Sequence, residues 1–265
     1  MITEGYAVSE TVKTDDRNNG AAISPAGRTQ TSVAVDRLRS DIIAGRLRPT
    51  EKLRVQPLAA RYGLSASALR EALSRLVTDG LVDVEDQRGF RVAQVSREDL
   101  LDLTDTRVEL ECLALQRAIR HGDVAWESNI VAAFHRLSRA SEQEAQDHPD
   151  NLTLLDELST LHRNFHSSLI AACRSEWLLY FSSLLYEQSD RYRRLALYSA
   201  PQSRNTLEEH KALMDAAIRR DAPVACDLLG QHFHETTRII LSVQGITADT
   251  TTLFATPVAD SSVQS

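Results

Sequence analysis

From Leu53 to Val92 the apolar positions change period along the chain. Pro57–Tyr62 places Leu58, Ala59 and Tyr62 at helical spacing, and Ser65–Asp79 does the same with Leu69, Ala72, Leu73, Leu76 and Val77. Gly63 lies between them, where a residue without Cβ can take the left-handed conformation that ends a helix. Ser65 can cap the second helix by accepting from the amide of Ser67 or Ala68. Beyond Gly80 the pattern becomes extended. Leu81, Val82 and Val84 predict a strand, Phe90 and Val92 its hairpin partner, and the polar link Glu85–Gly89 the turn. Helix, tight turn, helix and hairpin make a winged helix-turn-helix, a unit whose second helix lies in the DNA major groove.

The flanking patterns are helical. Val33, Val35, Leu38, Ile42 and Ile43 predict a helix that stops at Gly45, and Arg46-Leu47-Arg48-Pro49 reads as a connector. Ser96 opens a different regime with a capping-box-like Asp99 three residues on. Amphipathic segments follow at 97–121, 123–145, 151–173, 175–199, 203–220 and 223–243, with no strand pattern among them. The expected fold is therefore mainly α. It divides into a winged helix-turn-helix domain over 31–95 and an all-α helical bundle over 96–245. The polar ends, 1–30 and 246–265, are expected to be disordered tails.

Composition changes this picture little, and charge changes it more. Hydrophobic residues make up 42% and charged residues 25% of the 265, as in ordinary globular domains. The net charge of −7 is unevenly spread: residues 31–95 carry 11 Lys/Arg against 8 Asp/Glu, whereas 96–265 carry 16 against 25. Only the winged module is basic, which fits phosphate contact by that part alone. No apolar run is long enough for a membrane span, and the N-terminus has no apolar signal core, so a cytoplasmic protein with no membrane partner is expected. Cys112, Cys173 and Cys226 are odd in number, far apart in sequence and set in apolar helical contexts. They read as reduced core residues.

Candidate chemistry lies in both halves. Ser65 and Ser67 sit at a helix N-terminus, where free amides favour a phosphate, and Arg70 lies one turn further in, within reach of a phosphate or a guanine edge. Arg54, Arg61, Arg75, Arg88 and Arg91 surround the unit, with Arg88 at the wing, and Glu71 is read as an anchor for arginine side chains. In the helical half His162 and His166 are at i and i+4 on one face, and His210 and His232 on later helices can converge on them. Neutral imidazole binds zinc, nickel, copper and iron. His121, His135, His148 and His234 read as ordinary solvated or core residues.

Taken together, these residues resemble the GntR family of bacterial transcription regulators, and the helical half resembles the FCD domain of its FadR-type subfamily. The resemblance rests on Leu58-Ala59, Gly63-Leu64-Ser65, Leu69-Arg70-Glu71-Ala72-Leu73, Leu76, Asp79-Gly80-Leu81 and Gly89-Phe90. In the second half it rests on Arg107 with Glu111, Phe165-His166, Glu209-His210, Arg220-Asp221 and His232. It implies a homodimer on a pseudo-palindromic double-stranded DNA operator, acting as a repressor or an activator, with repressor the favoured reading, and with a small organic acid as effector. It also implies a divalent transition metal, zinc or nickel, on His162, His166, His210 and His232, and Arg107 as the carboxylate-binding residue. Ser175, Arg194 and Arg204 are further pocket candidates. The chain departs from the family pattern at Ala66 and Gln56, each in place of a DNA-contacting Arg, and at His162, in place of a ligand Asp. Two rival readings remain. One is a metal-dependent hydrolase built on the four histidines. The other is a constitutive DNA-binding protein whose helical half only dimerises.

Overall fold

The computed structural model describes residues 29–85, 89–144, 152–197 and 205–243, so residues 1–28 and 246–265 of the expected tails and Arg88 lie outside the described residues, whereas Gln30, expected in the first tail, already belongs to a helix. The winged domain comprises α1 (Gln30–Ile43), β1 (Lys52–Leu53), α2 (Val55–Tyr62), α3 (Ala66–Thr78), β2 (Val82–Glu85) and β3 (Gly89–Val92). Thr29 caps α1 by accepting from the Ser32 amide at 3.1 Å. Gly63 ends α2 at φ +64°, and Ser65 caps α3 by accepting from the Ala68 amide at 3.2 Å. Leu38, Ile42, Leu69, Leu73, Leu76, Leu81 and Val92 form the core beneath α3.

One element escaped the pattern. The sheet is three-stranded and antiparallel in the order β1-β3-β2, with Lys52 opposite Arg91 and Leu53 opposite Phe90. A strand of two residues carries no readable period; the free edge of β3 recruits it.

The helical domain comprises α4 (Arg97–His121), α5 (Val124–Glu144), α6 (Leu152–Ile170), α7 (Glu176–Leu197), α8 (Thr206–Ile218) and α9 (Ala222–Val243). Ser96 caps α4 through the Asp99 amide at 3.0 Å. Leu115, Ile130, Phe165, Leu169, Leu213 and Leu229 interlock in its core. Arg220 takes the left-handed conformation after α8 and donates to the Ile119 carbonyl at 2.6 Å, so this residue of the family pattern supports the fold.

All three cysteines are free and belong to or pack against the core, as expected. Their sequence separation misled in one respect: Cys112 on α4 and Cys226 on α9 are half-buried and meet across the two helices. Sequence distance hid this, because α4 and α9 are neighbours only in the folded bundle.

The two domains meet along α7. Glu187 forms ion pairs with Arg163 at 2.6 Å and with Arg39 of α1, and Arg39 also holds Asp79 at 2.5 Å. The Gln188 amide donates to the Asp79 carbonyl at 2.7 Å, and the Arg191 guanidinium to the Ala93 carbonyl. The Tyr192 hydroxyl accepts from the Ser96 amide at 3.1 Å and donates to Asp99 at 2.6 Å.

Candidate functional site

The apolar stripe of α6 turns Phe165 and Leu169 into the core, and the same face carries His162 and His166 one turn apart. His210 comes from α8 and His232 from α9. Ring centroids are 4.6 Å apart for His162 and His166, 5.3 Å for His166 and His210, and 4.6 Å for His210 and His232. One nitrogen from each of the four rings lies within 4.8 Å of the others. His166, His210 and His232 are buried. The fold thus brings together all four histidines that the sequence singled out, and leaves His234 exposed on the far side of α9, as its two-residue offset from His232 requires.

Burial holds the imidazoles of His162 and His166 well below the ordinary value, and each is further disfavoured as a cation by the neighbouring histidines and by Arg193. Both are therefore neutral, the form that ligates metals. Both ring nitrogens of His166 are buried with no hydrogen-bond partner. A buried imidazole left in that state costs free energy, which a metal bond removes. Two outer contacts set ring orientation: His162 Nδ1 shares a hydrogen bond with the Tyr186 hydroxyl at 2.8 Å, and His232 Nδ1 one with Glu209 at 2.9 Å. The donor set suits a divalent ion that accepts nitrogen ligands, so the residues present fit the expected metal.

Arg107 stands beside this cluster. Its Nε donates to Glu111 at 2.8 Å, and its guanidinium lies 4.0 Å from the Phe233 ring centroid and 5.5 Å from that of Tyr186. The pair is buried, unlike an ordinary surface i, i+4 pair. Burial pushes the Glu111 carboxyl up, opposed by the Arg107 charge. Arg107 thus shares Tyr186 with His162, while Phe233 follows His232 in sequence.

Other pocket candidates have structural roles. Arg194 is paired with Asp190 at 2.9 Å and with Asp156, and the Ser175 hydroxyl accepts from the Leu178 amide at 3.4 Å near the start of α7. Arg204 lies outside the described residues. Sequence reasoning missed Tyr186 and Phe233, whose roles depend on tertiary neighbours. Glu209 had a signal in its adjacency to His210, but its partner is His232.

The second candidate surface is the exposed side of α2 and α3. Ser67 and Arg70 are exposed on α3, and Gln56 on α2. The Ser65 hydroxyl is engaged in the α3 cap and lies 3.2 Å from that of Ser67. Glu71 accepts from Arg75 at 2.6 Å and from Thr31 at 3.0 Å, which makes it an anchor within the domain.

Residues 30–92 match the family described as bacterial regulatory proteins, gntR family, and residues 102–235 match the FCD domain. The chain belongs to the GntR family. It is a DNA-binding transcription regulator of the FadR type, with an FCD effector domain, and the hydrolase reading falls. It is 41% identical over 214 residues to the HTH-type transcriptional regulator BphR of Paraburkholderia xenovorans, covering 80% of this chain and 86% of that protein. It is 37% identical over 199 residues to the HTH-type transcriptional repressor GlaR of Escherichia coli, covering 74% and 88%. Its fold is similar to that of E. coli McbR/YncC, with a TM-score of 0.68 at 20% identity over 80% of this chain and 97% of that one.

Proposed function

We propose that this GntR regulator is a homodimeric, cytoplasmic repressor that releases or reshapes its grip on a pseudo-palindromic operator when a small organic acid enters the FCD domain. His162, His166, His210 and His232 would hold zinc or nickel. The observation that carries this reading is the four-histidine cluster with both nitrogens of His166 buried and unbonded. A bound ion would supply a positive centre for a carboxylate, because four neutral imidazoles leave its charge uncancelled. Arg107 supplies a planar fork for the same carboxylate, with Phe233 and Tyr186 against its faces. The repressor assignment follows the similarity to GlaR, a transcriptional repressor, and the two-fold symmetry of such a dimer matches a two-fold operator. Arg70, Ser65, Ser67, Gln56 and Arg88 are the proposed DNA contacts.

The contacts of α7 supply a route between the sites. Tyr186 touches His162; the next residue, Glu187, bridges Arg163 and Arg39; Gln188 and Arg191 hold Asp79 and Ala93. A ligand that shifts Tyr186 therefore strains contacts that seat the winged domain, and the effect on DNA equals the ligand's differential affinity for the two arrangements.

The test is a gel shift on DNA from the regulator's own upstream region, with zinc present and small mono-, di- and tricarboxylates titrated in. Release or altered mobility with one carboxylate class, lost in Arg107→Ala, is expected. Retention of the operator under every carboxylate, at concentrations far above metabolite levels, would favour the constitutive reading.

A further inference from the structure

We propose that Cys112 and Cys226 form a reversible disulfide between α4 and α9, with a hydroperoxide as the oxidant. The Cys112 thiol donates to the Cys226 carbonyl at 3.6 Å, and the Cys226 thiol to the Cys112 carbonyl at 3.6 Å. Each sulfur thus reaches the other residue's backbone, so the two helices lie within a side chain's reach of each other at this point. Both residues are half-buried free thiols, and exposed Gln116 and Leu113 flank them on α4, so a small oxidant reaches the pair from solvent. The Gln116 amide also donates to the Cys226 sulfur at 3.6 Å. That amide contact favours a thiolate at Cys226, while burial beside Cys226 pushes the Cys112 thiol up. We therefore assign Cys226 as the attacking sulfur and Cys112 as the resolving one.

The Cys226 thiolate attacks one peroxide oxygen. An S–O bond forms, the O–O bond breaks, and the departing alkoxide or hydroxide takes up the proton that the thiol gave to solvent. Cys112 then attacks the Cys226 sulfur: the S–S bond forms, the S–O bond breaks, and hydroxide leaves as water with the Cys112 proton. Two thiols and one hydroperoxide thus give a disulfide, an alcohol or water, and a further water, and a thiol reductant reverses the change. In a reducing compartment such a bond is transient, as signalling disulfides are. It ties α4, which carries Arg107 and Glu111, to α9, which carries His232 and Phe233. The buried thiol of Cys173 lies outside the pair and serves as the internal control.

The experiment treats the reduced full-length chain with hydrogen peroxide, blocks remaining thiols with iodoacetamide and maps non-reduced peptides by mass spectrometry. Wild type and Cys173→Ser should both yield a peptide linking Cys112 to Cys226 within one chain. Cys112→Ser should yield no link and a Cys226 sulfenic acid trapped by dimedone, and in the wild type dithiothreitol, added before the block, should restore both free thiols. Alkylation of both cysteines after peroxide, a link between two chains, or oxidation of Cys173 in preference would overturn the proposal.

Discussion

At the scale of single residues, the two candidate surfaces make different demands. Arg70 is exposed on α3, whereas Ala66 on α3 and Gln56 on α2 stand where the family resemblance leads one to expect arginine. Arg70→Ala should weaken operator binding by about 1–3 kcal/mol if it reads a base edge, and random DNA by less. Fluorescence anisotropy on operator and scrambled DNA checks this; unchanged affinity for both removes Arg70 from the interface. In the helical half, Tyr186→Phe removes the hydroxyl that orients His162 while leaving the ring under Arg107. Outer-shell losses of this kind weaken metal affinity by about 10–100-fold, and competition with a chromogenic chelator measures it. His162 and His166 were legible because i and i+4 on one helix face is a local relation, whereas His210 and His232, on other helices, were joined to them through the family resemblance. Tyr186 and Phe233 were not, because their meeting with His162 and Arg107 exists only once α6, α7, α4 and α9 have packed.

At the scale of elements, α3 is held at its start by one hydroxyl and one glycine. Gly63 has open space where a Cβ would sit, so Gly63→Ala pays only the left-handed backbone strain, about 1 kcal/mol. Ser65→Ala removes the cap and should cost about 1 kcal/mol as well. Urea denaturation of both variants gives the values. Ser65→Ala should also blunt DNA binding if the α3 N-terminus seats a phosphate, whereas a pure stability loss would leave the affinity of the folded fraction unchanged. The helices, the hairpin and the glycine stops at Gly45, Gly63 and Gly80 were readable from period and punctuation. The two-residue β1 was not, because its pairing is dictated by the edge of β3. Nor was the role of α7, whose polar residues Glu187, Gln188 and Arg191 find partners more than 90 residues away.

At the scale of the whole molecule, the histidine cluster links pH, metal and folding. His162 and His166 are held below the ordinary value of 6.5 in the folded chain and return to it on unfolding. The unfolded state then binds more protons below that pH, so the metal-free protein should lose stability as pH falls from about 6.5 toward the depressed folded values. Calorimetry from pH 8 to pH 5 follows this; a melting temperature that is flat or rises on acidification contradicts it. A bound ion ties α6, α8 and α9 together and stabilises the fold by mass action, by about 4 kcal/mol when its free concentration is a thousand times its Kd. The most direct test is the metal content of the purified full-length chain after incubation with zinc or nickel and gel filtration, paired with melting curves with and without chelator. One ion per chain, lost in His166→Ala and His210→Ala and retained in Arg107→Ala, with a melting temperature that chelator lowers in the wild type and Arg107→Ala but not in the two histidine variants, is the result expected. A wild-type chain that stays metal-free and melts at one temperature with or without chelator would contradict the metal centre and leave these four histidines as bundle residues.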